Sequence, residues 1–182
     1  MDNGASSYRR FLDGDESAFD EIMKELFDNL VFFIDRYVHD IHAAEDIAID
    51  TFSDLVVNKH RYNFKVTLKT YLFMLGRSRA LNYIKHRKVI DFVELSEADK
   101  TLEHETLEES VLVDERKRVV NSALCALSDD MRVVIHLIYF EALSYDEAAK
   151  VMKKNRKQVD NLLYRAKKEL RIILGKDGEH LL

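Results

Sequence analysis

Apolar residues that recur every three or four positions dominate the first half of the chain. The longest such run comprises Phe19, Ile22, Met23, Leu26, Leu30, Ile34 and Tyr37. That spacing puts the side chains on one face of an α-helix. The 182 residues include no proline and only five glycines, so little in the chain would interrupt helices. We therefore expect an all-α protein.

Further helices are predicted on both sides of an acidic stretch. In the N-terminal half, one covers roughly 40–57 and another 68–88. After the acidic stretch, short helices resume near Val119 and again after Ser128, a favoured N-cap residue. The pattern predicts two small helical domains, residues 1–90 and 115–176. An acidic linker, residues 91–114, would join them.

A net charge of −5 averages over strongly segregated blocks. Residues 59–90 hold nine Lys or Arg and no acid, whereas 91–115 hold one Lys and ten acids. Residues 150–171 hold nine basic side chains against two acidic ones. Two basic blocks separated by an acidic one indicate two surfaces for a polyanion, despite the acidic total.

The stretch "SYDEAAKVMKKNRKQVDNLLYRAKK", Ser144 to Lys168, contains a turn that no Gly or Pro marks. A single helix would place Asn155 and Arg156 on its buried face, and burying an unpaired charge costs several kcal/mol. Ser144 and Asn155 are each followed three positions later by Glu or Gln, the spacing of a capping box. We therefore expect helices over 145–153 and 156–173, the geometry of a helix-turn-helix.

The second of these helices would present a basic face. Arg156, Lys157 and Asn161 have the chemistry to read base edges, and Tyr164 would also face outward. The remaining basic side chains there would reach phosphates: Lys153, Lys154, Arg165 and Lys168. A basic, solvated helix in an unrelated bundle is the alternative.

Three segments resemble the extracytoplasmic-function group of bacterial RNA polymerase sigma factors. "ALSYDEAAKVMKKNRKQVDNLLYRAKKELRIIL" resembles the C-terminal helix-turn-helix of that family. "HAAEDIAIDTF" and "YLFMLGRSRALNYIKHRK" are similar to two of its N-terminal helices, in the same order. Lys153 departs from the family, which usually has Gly at this turn. The resemblance implies sigma region 2 in 1–90 and sigma region 4 in 115–176.

The resemblance implies that the second helix docks on the β′ clamp helices of core RNA polymerase, and that the β flap is a further partner. That helix has a core stripe through Ala44 and Leu55 and a second apolar arc, more apolar surface than one core requires. The expected polymerase-binding residues are Asp46, Ile49, Asp50, Phe52 and Val56. A central helix wrapped on all sides by its own domain is the alternative.

The first basic block would meet the opened minus-ten element of promoter DNA by the same resemblance. Aromatic side chains can stack on unpaired bases and basic ones can bind phosphates. The expected residues are Tyr62, Phe64, Tyr71, Arg77, Arg79, Asn82, Lys85, Arg87 and Lys88. Core packing is the alternative for the aromatics, and we expect it for at least half of them.

Other functions are weighed against this one. His39, His42, Glu45 and Asp46 share a helical face, but a di-iron bundle needs Glu-x-x-His twice, so we expect neither metal nor cofactor. Without a phosphate loop or a nucleophile with its base, we expect no enzyme. A two-domain helix-turn-helix regulator that does not replace a sigma subunit remains the rival.

The remaining expectations concern location, partners and the single cysteine. We expect a cytoplasmic protein without membrane insertion, because neither a spanning run nor a signal peptide is evident. An anti-sigma factor is a partner that the resemblance implies. Cys125, the only cysteine, is expected to be packed on its helix and excludes an internal disulfide framework.

Overall fold

The computed structural model describes residues 4–94 and 115–175, and within them the regular structure is entirely helical. An all-α fold is thereby confirmed. The described helices are α1 (Ala5–Leu12), α2 (Ser17–Val38), α3 (Ile41–Val57), α4 (Leu68–Glu94), α5 (Glu115–Cys125), α6 (Asp129–Ile135), α7 (Tyr145–Met152) and α8 (Arg156–Leu174). A π-helical turn, His136–Phe140, continues α6.

The helix α1 has no counterpart among the predicted elements. Its side chains Tyr8 and Phe11 are buried against the rest of the N-terminal half. The Tyr8 hydroxyl donates hydrogen bonds to the carbonyl oxygens of Leu55 and Lys59, at 3.1 and 2.8 Å. Burial raises the pKa of Tyr8 to about 12, so the hydroxyl stays protonated and α1 remains tied to the end of α3.

Replacing Tyr8 by phenylalanine should lower the free energy of unfolding by about 1–3 kcal/mol, because a buried acceptor loses its donor. Tyr8 and phenylalanine have nearly the same shape, so the ring packing is kept. Urea unfolding followed by circular dichroism measures the change. A loss below about 0.3 kcal/mol would show that water replaces the hydroxyl at both carbonyls.

Helices α2, α3 and α4 form the core of the N-terminal half. The side chains of Ile22, Leu30 and Ile34 on α2 are fully buried, as the apolar spacing predicts. Helices α2 and α4 approach closely at Gly76, where an added Cβ would lie 2.9 Å from Leu30 Cδ1. Asp40 caps α3 by accepting a hydrogen bond from the Ala43 amide at 3.1 Å.

The helix α4 ends later than predicted, at Glu94 instead of Lys88. Residues 89–94 contain neither Gly nor Pro, so nothing local stops the helix at Lys88. The first residues of the predicted linker 91–114 are therefore helical, and its remainder lies outside the described residues.

Both predicted capping boxes of the helix-turn-helix are present. Ser144 and Glu147 bond reciprocally at the start of α7, and Asn155 and Gln158 do so at the start of α8. The turn between them places Lys153 at φ 53°, a left-handed conformation that favours glycine. Ser128 occupies the N-cap of α6 but makes no side-chain cap bond, so its predicted capping role is wrong.

Cys125 lies exposed at the end of α5, so its predicted packing is wrong; the apolar contacts of this helix are made by Ala123 on a different side. Among the described residues, none of the helices combines the length and apolar character needed to cross a membrane.

Candidate nucleic-acid interface

The first turns of α8 present a continuous polar surface to solvent. Val159, Leu163 and Ala166 face the core and are buried, which fixes the opposite side of the helix outward. The predicted base-reading residues all lie on that exposed side: Arg156, Lys157, Asn161 and Tyr164. The expected phosphate contacts Lys153, Arg165 and Lys168 are also exposed, and Lys154 is half-buried.

Two basic side chains of this surface are paired with acids of neighbouring helices. Arg156 Nη1 lies 3.0 Å from Asp146 Oδ2, and Lys154 Nζ lies 3.0 Å from Asp130 Oδ2. The Arg156 pair is exposed, so solvent screens it and a phosphate can displace it. Arg156 therefore stays within reach of a phosphate, whereas Lys154 is less exposed.

The basic block on α4 divides into an exposed end and a covered beginning. Asn82, Lys85, Arg87 and Lys88 are exposed. Arg77 and Arg79 are half-buried, and Arg79 Nη2 lies 3.7 Å from Asp54 Oδ2. The exposed end of α4 is therefore the part of this block that can meet a polyanion directly.

The predicted stacking aromatics form a cluster with Tyr8. Tyr62 is only 3% exposed and donates a hydrogen bond to the Val66 carbonyl at 2.6 Å. Its expected availability for base stacking is wrong in this structure, because Tyr8 and Tyr71 pack on its ring. Phe64 and Tyr71 are half-buried, and the Arg9 guanidinium lies 4.8 Å from the Phe64 ring centre.

A cleft of about 450 Å³ opens beside this cluster. Its wall includes Phe64, Lys65 and Thr67 from the loop before α4, and Glu147 and Lys150 from α7. Phe64 adopts φ 59°, a conformation uncommon for a bulky residue. The loop between α3 and α4 therefore faces α7 of the C-terminal half across this cleft.

The outward side of α3 is the candidate protein-binding surface. Ile49 is 51% exposed between the exposed carboxylates of Asp46 and Asp50, and Val56 is half-buried at the same side. Phe52 does not belong to this surface. It is 2% exposed, and the expectation that it projects outward is wrong.

The position of Phe52 follows from its neighbours in the core. Its ring packs edge-on against Phe19 at 6.3 Å between ring centres and tilted against Phe27 at 5.9 Å. Both of these aromatics lie on α2, and between them the Phe52 ring is removed from water. Phe52 thus fixes α3 onto α2.

Comparison with known proteins extends along most of the chain. Residues 117–170 match the family model described as Sigma-70, region 4. The ECF RNA polymerase sigma factor SigM of Bacillus subtilis is 25% identical over 158 residues, covering 86% of this chain and 95% of its own. The RNA polymerase sigma-H factor of Pseudomonas aeruginosa is 26% identical over 166 residues, covering 86% of each.

The fold agrees with solved structures over the same extent. The sigma factor RpoE, in complex with the anti-sigma factor NepR from Bartonella quintana, superposes with a TM-score of 0.67 at 21% identity, covering 87% of this chain and 98% of that one. CnrH, in complex with the cytosolic domain of CnrY, gives 0.67 at 19% identity, covering 98% and 99%. Along most of its length the chain is similar to extracytoplasmic-function sigma factors, and residues 117–170 match sigma-70 region 4. The predicted resemblance is thereby confirmed.

The chain also contains a polar cluster that the sequence patterns do not predict. The Lys69 ammonium on α4 lies 2.7 Å from Glu141 Oε2 and donates a hydrogen bond to the Glu141 carbonyl at 2.9 Å. His136 Nε2 lies 3.2 Å from Glu141 Oε1. Burial acts to raise the pKa of Glu141, but the contacts with His136 and Lys69 outweigh it and hold that pKa below its ordinary value.

The cluster connects the N-terminal half of the chain to the C-terminal half. Lys69 lies in the first turn of α4, whereas Glu141 follows the π-helical turn after α6. Only the acid stands out in the sequence, because "IYFEALSY" places a single charge among apolar residues. Its partner is 72 positions away, and no local pattern points to that pairing.

Proposed function

We propose that this sigma factor binds core RNA polymerase and directs promoter-specific initiation by recognising and opening promoter DNA. The observation that carries the proposal is the pair of separate, exposed basic surfaces on a chain of net charge −5. One surface is the start of α8 and the other is the exposed end of α4. An acidic total weakens binding to DNA by the free chain, so recognition would depend on polymerase.

The polymerase-binding surface in this proposal is the outward side of α3, which would dock on the β′ clamp helices. Ile49 is the apolar anchor, and Asp46 and Asp50 form its polar rim. Val56 extends the same side. The C-terminal half, residues 115–176, would contact the β flap.

Promoter recognition is assigned to the two basic surfaces. The exposed end of α4, with Asn82, Lys85, Arg87 and Lys88, would meet the minus-ten element within a region-2 domain covering 1–90. Arg77, Arg79, Phe64 and Tyr71 would join it after local rearrangement, since they are half-buried. The start of α8 would enter the major groove of the minus-thirty-five element, with Arg156, Lys157 and Asn161 at base edges.

Regulation by an anti-sigma factor is part of the proposal, because RpoE, which has a similar fold, was solved in complex with the anti-sigma factor NepR. A cytoplasmic location follows from the same function, since polymerase and promoter DNA are there. No catalytic role is assigned to any side chain.

The test is transcription in a purified system. The sigma factor is mixed with core RNA polymerase and a promoter library, and initiated transcripts are sequenced. We expect transcripts that share two upstream elements and are absent with core enzyme alone. Transcripts equal to those of core alone, or no complex with core on a sizing column, would refute the proposal.

The rival regulator that binds DNA without replacing a sigma subunit is disfavoured by the full-length relatives, all sigma factors. It also leaves the α4 basic surface without a purpose. Tight binding of the free chain to a palindromic promoter in a gel-shift assay, with no dependence on core enzyme, would restore it.

A further inference from the structure

We propose that the free sigma factor is held in a closed, self-inhibited form by a polar latch between its two halves. The latch comprises Lys69, Thr67 and Thr70 from the start of α4 with His136, Glu141 and Glu147 from the C-terminal half. It turns the beginning of the α4 basic block away from solvent. The inhibitory role rests on the proposed function; the latch itself does not.

The centre of the latch is a buried carboxylate shared between the halves. The Glu141 side chain is 4% exposed, that of His136 7% and that of Lys69 12%. Removing one partner of such a buried pair is strongly unfavourable, because the other charge stays desolvated. In an isolated C-terminal half, Glu141 would lack its ammonium partner. The closed arrangement supplies that partner from α4.

A second carboxylate joins two helix starts. Glu147 completes the capping box of α7, accepting from the Ser144 amide at 3.0 Å. Its other oxygen, Oε1, lies 3.3 Å from Thr67 Oγ1 and 3.2 Å from Thr70 Oγ1, both of which donate to it. Thr67 Oγ1 in turn accepts from the Thr70 amide at 3.1 Å. The N-terminal ends of α4 and α7 are therefore fixed to each other.

A third contact lies at the acidic start of α6. His39 Nε2 lies 3.6 Å from Asp129 Oδ1. Burial raises the pKa of Tyr37 to about 12; the Arg77 guanidinium acts to lower that pKa, and the carboxylates of Asp129 and Asp130 act to raise it. Tyr37 on α2 thus lies near Arg77 of α4 and near the acidic start of α6.

These contacts fall on one stripe of α4. Lys69, Phe73 and Arg77 are spaced by four residues and lie on the same side of the helix. Phe73 is fully buried and Lys69 nearly so. Glu141 pairs with Lys69, the first cation of this stripe, where a promoter phosphate would bind in the proposed function. The exposed end of α4 remains accessible to DNA, so the latch blocks only the beginning of the α4 basic surface.

The polar character of the latch makes opening feasible. Charged groups regain hydration when the halves separate, so such a contact contributes little net stability compared with an apolar one. The equilibrium between closed and open forms can therefore be shifted by a partner that binds only the open form. Core RNA polymerase is that partner in this proposal.

The test measures the distance between the halves of the free protein. Spin labels are attached to the native, exposed Cys125 and to a cysteine introduced at exposed Asp28 on α2. Pulsed electron resonance then gives the population of each form. We expect Glu141→Gln to raise the open population on the order of tenfold. Lys69→Met should do the same, and the exchange Lys69→Glu with Glu141→Lys should restore the closed form.

Glu25→Gln is the matched control, since it removes one exposed carboxylate from α2 and should leave the distances unchanged. In transcription with limiting core enzyme, Glu141→Gln should raise the initial rate about threefold to tenfold, as its open population predicts. Distances that match wild type in both single variants would overturn the latch. Opened distances with an unchanged transcription rate would overturn the inhibition. Absence of transcripts from every variant would refute the proposed function and its inhibition, while the distances would still decide whether the latch exists.

Discussion

Combining Ile49→Asp with Asp50→Ala is expected to weaken binding to core RNA polymerase by about 100-fold, the effect of losing a central interface anchor. Ile49 is half exposed and lies between carboxylates on the outward side of α3. A charge at this position would have to be desolvated when the surface docks. Binding is measured by fluorescence titration of labelled sigma factor with core enzyme.

The chain offers a matched control for this pair on α2. Phe32 is 52% exposed and Asp28, one turn before it, is also exposed. Phe32→Asp with Asp28→Ala introduces the same kinds of change on a side that the proposal does not assign to polymerase. Equal weakening by both pairs would mean that general surface chemistry, and not the outward side of α3, controls binding.

Substitution of Phe52, on the same helix, is expected to affect folding stability and not the polymerase-binding surface itself. Because its ring is buried between Phe19 and Phe27, truncation to alanine should cost about 3–5 kcal/mol of folding stability. Any loss of polymerase binding in that variant would follow from unfolding. The binding surface is therefore probed at Ile49 and Asp50.

The error at Phe52 shows how far helical periodicity can be taken. Ala44, Ala48 and Phe52 follow each other at four-residue spacing, so Phe52 continues the core stripe. Its spacing of three residues from Ile49 and four from Val56 instead groups Phe52 with the second apolar arc of α3. The periodicity predicts that α3 is amphipathic, but which borderline position is buried depends on the rings that α2 contributes.

The helix-turn-helix was predictable because its signals are local. Each capping box needs two residues three positions apart, and both boxes are present as predicted. The latch between the halves has no such signal. Lys69 and Glu141 are 72 positions apart, and their meeting depends on how α4 packs against α7 and the turn after α6. Sequence patterns indicate which face of a helix is apolar and which is charged. They do not indicate which charged faces contact each other in the fold.

The turn residue Lys153 is a departure that the structure explains in part. It adopts the left-handed conformation at φ 53°, where the family usually has Gly. A non-glycine residue there costs roughly 1 kcal/mol. The Asn155 capping box follows directly and offsets that cost by satisfying amides at the start of α8. A lysine at this position also adds a cation next to the predicted phosphate contacts.

Combining Arg156→Ala with Lys157→Ala is expected to reduce transcription from promoters that depend on the minus-thirty-five element on the order of 100-fold, since each good base contact contributes about 1–3 kcal/mol. Both side chains are exposed in the first turn of α8. Of the two, Arg156 forms an ion pair with the exposed Asp146. Their removal leaves the buried side of the helix intact.

Binding to core enzyme should be unchanged in this double variant, because α3 and α8 present separate surfaces. Lys24→Ala with Arg171→Ala is the charge-matched control: both residues are exposed, and Arg171 lies about 22 Å along α8 from its start. Transcription with wild-type and scrambled upstream elements distinguishes the outcomes. A specific contact at α8 predicts that the double variant no longer discriminates between the two templates, whereas the control retains discrimination. If both double variants lose activity equally on both templates, the basic surface acts only through its charge and the assignment of base-reading residues is wrong.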